Sequence, residues 1–179
     1  MRAALPLVAF AAMLPSLTFA AGGDTTTPPT PSETTKECWG ERVWDPATQK
    51  CVKPEESSMS GEQLLQTARE LAYLERFEDA QAVLAAHPVQ SDSRVLTYWG
   101  FTNRKLGRAD LANAYYTRAI AQDPDNILAR SYMGQGFVES GDYAQALAQW
   151  KEIKARGGVG TWAEASLRQA IQTGVTVNY

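Results

Sequence analysis

Histidine is almost missing from this chain: His87 stands alone in 179 residues, and cysteine stops at two, Cys38 and Cys51. Two thiols and one distant imidazole do not make a four-ligand metal shell. No Ser or Cys has a base beside it in the sequence, and no glycine-rich phosphate loop follows a strand, so nucleophile, base and phosphate cradle are all wanting. Carboxylates such as Glu55, Glu56, Glu75, Glu78 and Asp79 are scattered over a connector and a turn. Catalysis and a bound cofactor or metal are therefore not expected. An excess of positive charge is lacking too: 17 Lys and Arg face 20 Asp and Glu, a formal charge of -3. Nucleic acid, which calls for a basic stripe, is an unsuitable partner. His87 precedes Pro88 at the end of an apolar stretch and reads as a helix-terminus cap or a partly buried side chain.

Long apolar runs are also lacking, except at the start. Arg2 is followed by an apolar run from Ala3 to Leu14, then Pro15 and the small-residue ending Thr18-Phe19-Ala20. That order is expected of a secretory signal peptide over residues 1–20, cleaved after Ala20 or one residue later. The run is too short for a membrane span of about 20 residues. The mature protein is thus expected in the periplasm or secreted, with no membrane span after cleavage.

Beyond Ala20 the chain divides into three zones. Residues 21–37 are rich in Thr and Pro and hold no large apolar residue, which predicts a disordered linker. Residues 38–54 contain both cysteines, 13 positions apart, around the turn signal Asp45-Pro46. In an oxidising compartment this predicts a Cys38–Cys51 disulfide stapling a small hairpin. Trp39 and Trp44 are expected to pack over the disulfide as its miniature core, the alternative being that they stack on a sugar ring or another protein.

Residues 60–174 carry helical signals throughout. Ser60 with Gln63, and Thr161 with Glu164, have capping-box spacing. Residues 93–126 laid over 127–160 repeat the same classes 34 positions apart: Gly100 with Gly134, Gly107 with Gly141, Ala112 with Ala146, Tyr116 with Trp150. A weaker copy precedes them, with Ala68 and Ala80 in the small positions, shortened where Pro88 cuts its second helix. A lone helix, 161–174, closes the series, with Ala163, Leu167, Ala170 and Ile171 on its covering face and Glu164, Arg168, Gln169 and Gln172 toward water. Against the tetratricopeptide repeat pattern that this period resembles, Asn103 stands where an aromatic is usual and Gly158 where proline is usual, which implies a looser loop after the third copy.

In period and positions this region resembles the tetratricopeptide repeat (TPR) family. The fold expected is all-α, a short TPR-like solenoid of about three helix-turn-helix repeats with a C-terminal capping helix, preceded by the linker and the disulfide hairpin. The resemblance implies that the first helix of each pair lines a concave groove for a protein or peptide partner. Carried over by position, the groove holds Arg69 and Tyr73 from the first copy. The second copy adds Arg94, Thr97, Phe101, Arg104 and Lys105, and the third Leu128, Ser131, Gln135 and Val138. Its basic residues imply an acidic or C-terminal carboxylate segment, with Arg104 and Lys105 pairing to the acid. An envelope glycan held by the Trp-bearing hairpin is the alternative partner. Self-association is a further way to complete so short a stack.

Overall fold

A computed structural model describes residues 28–176. The signal-peptide expectation for residues 1–20 and the first part of the linker, 21–27, lie outside the described residues. Within them the chain is all-α apart from one hairpin. The order is α1 (Glu33–Glu37), β1 (Val43–Asp45), β2 (Lys50–Val52), α2 (Gly61–Tyr73), α3 (Phe77–Ala85), α4 (Ser93–Lys105), α5 (Ala109–Gln122), α6 (Ile127–Glu139), α7 (Tyr143–Ala155) and α8 (Trp162–Thr173).

Three antiparallel pairs, α2/α3, α4/α5 and α6/α7, stack in sequence, and each first helix also touches the next first helix. The small positions predicted for close approach are closed: Ala68, Ala80, Ala112 and Ala146 are all buried. At Gly100 a Cβ would collide with the Tyr116 ring, so glycine is required for α4 and α5 to meet. Gly134 serves the same purpose toward a different neighbour. A Cβ there would lie 2.6 Å from a Leu167 methyl of α8, so this gap seats the closing helix. Gly107 and Gly141 come after α4 and α6 with φ of 75° and 80°, the left-handed conformation in which helices stop.

Both ends of the stack are covered. At the C-terminal end α8 lays Ala163, Leu167 and Ala170 against α6 and α7. Thr161 caps α8 by accepting from the Glu164 N–H, but the reciprocal half of the capping box is not made. The Glu164 carboxylate turns inward instead, accepting from Trp150 Nε1 at 2.8 Å and from Arg168 at 3.2 Å. Glu164 is therefore buried rather than toward water as expected, because the half-buried Trp150 needs an acceptor. The segment before α8 is tight, not loose: Thr161 N and Oγ1 both donate to the Gly158 carbonyl, and a Cβ on Gly158 would meet Ile153 at 2.6 Å.

At the N-terminal end the hairpin does the covering. β1 and β2 pair antiparallel, with Trp44 opposite Cys51, and Cys38 and Cys51 are joined. Val43 is fully buried in the same apolar cluster as Leu64, Leu71 and Phe101, so the hairpin belongs to the repeat core. Residues 28–37 also depart from the linker expectation. Thr34 is buried, Ser32 N donates to Glu70 Oε1 at 2.5 Å, and the Thr35 hydroxyl donates to the same oxygen. Composition suggested no core for this stretch; buried Glu70 on α2 supplies the acceptor that draws it in. Asp45 organises the turn, accepting from Thr48 N at 3.0 Å, Thr48 Oγ1 at 2.6 Å, Ser58 N at 2.8 Å and the Ser58 hydroxyl. These donors, that hydroxyl first, hold its carboxyl well below the usual range. His87 is buried, its Nδ1 within 3.1 Å of both Val89 N and Val89 O, but it does not cap α3: Gln90 Nε2 meets the terminal carbonyls instead, donating to Leu84 O at 2.8 Å and Ala85 O at 3.2 Å.

Among the described residues no helix is long and apolar enough to cross a membrane. The disulfide fits a compartment in which thiols oxidise.

Candidate partner-binding surfaces

The expected groove residues separate into two sets. Thr97, Phe101, Arg104, Leu128, Ser131, Gln135 and Val138 are buried, Arg69, Tyr73 and Lys105 are half-buried, and Arg94 is exposed. The buried set forms the seam between successive first helices. Asn126, the N-cap of α6, donates to Ser93 Oγ at 2.7 Å and Thr97 Oγ1 at 2.9 Å. The Phe101 and Tyr132 ring centroids lie 4.7 Å apart, and Arg104 Nη1 meets Glu139 at 2.5 Å. One repeat later, Ser131 and Gln135 reach Ser166 of α8 at 3.1 and 3.4 Å, and Val138 clusters with Ala170. These residues hold the repeat positions expected of them but not the expected exposure. The first helices touch each other directly, so side chains assigned to a partner contact the next helix instead.

Electrostatics alter the groove further. Arg104 is caged, its guanidinium centre 5.7 Å from the Phe101 ring and 6.0 Å from that of Tyr132. Beside it burial pushes the Tyr116 phenol up to about 12, against the pull of the Arg104 charge. Arg94 is bridged to Glu62 and Asp92, each at 2.9 Å. The Lys105 ammonium lies 5.9 Å from the Phe101 centroid, and burial lowers its pKa. Of the two cations expected to meet a partner's acid, Arg104 is committed to Glu139. Of the expected groove residues, those at least partly accessible are Arg69, Tyr73, Arg94 and Lys105, and Arg69 also lines the cleft between the N-terminal segment and α2.

The hairpin is the second surface. Trp39 is 81% exposed, the reverse of the miniature-core expectation. Val43 and Cys38, both buried, do the packing that was assigned to the indoles. Trp44 is half-buried and lines a cleft of 520 Å³ between the N-terminal segment and α2. The turn carrying Trp39 is held from three sides. Cys38 is tied to Cys51, Gly40 takes φ 63°, and Arg76 donates to Cys38 O at 3.4 Å and Gly40 O at 3.2 Å. Arg76 is itself braced by Asp79 at 2.6 Å. Sequence reasoning passed over Arg76 and Glu70, the two side chains that dock the cap. Neither had a signal in the sequence: a carboxylate on a helix and an arginine in a turn both read as solvated, and the partners of Glu70, Ser32 and Thr35, lie 38 and 35 positions away.

Among the described residues no group of three or more His, Cys, Asp or Glu is placed to hold a metal ion. No protein-family model, curated protein or solved structure matches the chain.

Proposed function

We propose that this chain is a TPR-like adaptor of the periplasm or the extracellular space, which docks a protein or peptide on the accessible edge of its first helices. The observation that supports it best is the recurrence of one seam. Thr97, Phe101 and Arg104 against α6 are matched 34 residues later by Ser131, Gln135 and Val138 against α8. A chain that repeats one interface and covers both ends of the stack is organised to present surface. The Arg94 bridges are largely exposed, so a partner's carboxylate can replace Glu62 at small cost. Lys105, at the far end of α4, adds a second, partly desolvated charge, and Tyr73 an aromatic contact. An acidic segment suits this edge.

The test is a capture from envelope extract, comparing wild type with Arg94→Glu/Lys105→Glu and reading the lost species by mass spectrometry. Arg104 is left alone because it holds the core seam. Loss of one specific protein, with an unchanged melting profile, is the expected result. An identical catch from both forms would sink the adaptor edge.

A further inference from the structure

We infer that the cleft beside Trp39 is a binding site for a neutral saccharide. It goes beyond the adaptor reading and stands whether or not a protein docks on the first helices. Among the described residues Trp39 is the most exposed of the large hydrophobic side chains, at 81%. An indole left in water at that level forgoes the stabilisation that burial would bring, and small capping modules have little apolar area of their own. Its turn is nevertheless locked by the disulfide, by left-handed Gly40 and by the Arg76 clamp. The backbone that carries the ring is thus fixed, and only the two side-chain torsions of the indole are left to order when something lies against it.

The cleft alongside has a volume of 370 Å³, within the range of small-ligand sites. Glu41, Arg42, Lys53 and Glu55 line it, and Pro54 with Ala82 of α3 completes the lining. Among the described residues none of these four charged side chains is in an ion pair, whereas Arg94, Arg104, Arg130 and Arg156 elsewhere all are. Two acids and two bases cancel, so the cleft selects no ion of either sign. They do offer donors and acceptors of both kinds around one aromatic face. A pyranose ring matches that pattern: its C–H face carries partial positive charge and lies on the electron-rich indole, while its hydroxyls both donate and accept. An acidic peptide or an anionic glycan finds no net attraction among two acids and two bases, and entering the cleft costs its charged groups part of their hydration.

The experiment is isothermal titration of the full chain with two neutral probes, the β-1,4-linked tetrasaccharides of glucose and of N-acetylglucosamine, and with a sulfated tetrasaccharide as the charged control. Saturable binding of at least one neutral probe is expected, with the sulfated one at least tenfold weaker. Trp39→Ala should weaken the neutral probe by tenfold or more, and Trp39→Phe should restore most of it. Because Trp39 is outside the core, both variants should melt with the wild type, which keeps a folding defect from imitating the result. Lys53→Ala/Glu55→Ala should weaken binding without touching the indole. No binding of either neutral probe, equal binding by Trp39→Ala, or preference for the sulfated probe would overturn the proposal.

Discussion

Val43→Ala separates a cap that belongs to the stack from a hairpin that merely precedes it. Val43 is fully buried among Leu64, Leu71 and Phe101, although in sequence it sits between the two cysteines of a module with its own staple. The substitution removes two methyl groups. At about 0.8 kcal/mol for each, transfer alone costs about 1.6 kcal/mol, and the cavity left behind raises the total to about 2.5 kcal/mol. With a urea m value of about 2 kcal/mol/M for a domain of this size, the midpoint should fall by about 1 M. The assay is urea denaturation monitored by far-ultraviolet circular dichroism, which reports the helices and is almost blind to a hairpin of two three-residue strands. A single helical transition moved by that amount is expected. A helical midpoint within about 0.2 M of wild type would show that the hairpin unfolds on its own, and the cap assignment would fail.

Three further outcomes are expected from the packing. Gly100→Ala forces a Cβ into the Tyr116 ring and should cost about 3 kcal/mol, while Gly107→Ala meets open space and should cost only the strain of its positive φ, about 1 kcal/mol; thermal melts giving the reverse order would refute the close approach of α4 and α5. Arg104→Glu sets a second carboxylate against Glu139 inside the seam and should lose about 3–5 kcal/mol, whereas Lys105→Glu should lose less than about 1 kcal/mol; equal melting temperatures would place Arg104 at the surface. Asp45 has a folded pKa depressed below its unfolded value, so its stabilisation is complete above the ordinary carboxylate value of about 3.9 and is lost as pH falls through the folded value. Urea midpoints measured downward from about pH 5 should therefore drop less steeply for Asp45→Asn than for wild type, and parallel curves would remove Asp45 from the acid response.

Much of the helical part is legible in the sequence, and the reasons are local. Ser60 and Gln63 form both halves of the expected capping box, because the two side chains reach backbone groups within one turn. Pro88 leaves α3 at nine residues against 14 for α5, since proline deprives a helix of a donor wherever it falls. The staple was legible from two cysteines and a turn between them. Harder to read was anything set by a neighbour distant in sequence. Trp150, matched by position to the fully buried Tyr116, is half-buried and bonded to Glu164 because α8, not a further pair, lies against it. Thr97, Ser131 and Gln135 resembled partner-facing polar residues, and their neighbours turned out to be Asn126 and Ser166.

The same division holds for the two candidate surfaces. Sequence alone determined the all-α repeat, its period, its turn glycines, the disulfide and the identity of every residue on the first helices, since each depends on spacing or backbone conformation within a few turns. Tertiary structure alone decided which of those residues a partner could reach, that Val43 and Thr34 seal the N-terminal end, and that Trp39 stands in water while Val43 takes the core. Exposure is a property of what packs against a residue, and no periodicity within one helix or hairpin records which neighbour will arrive.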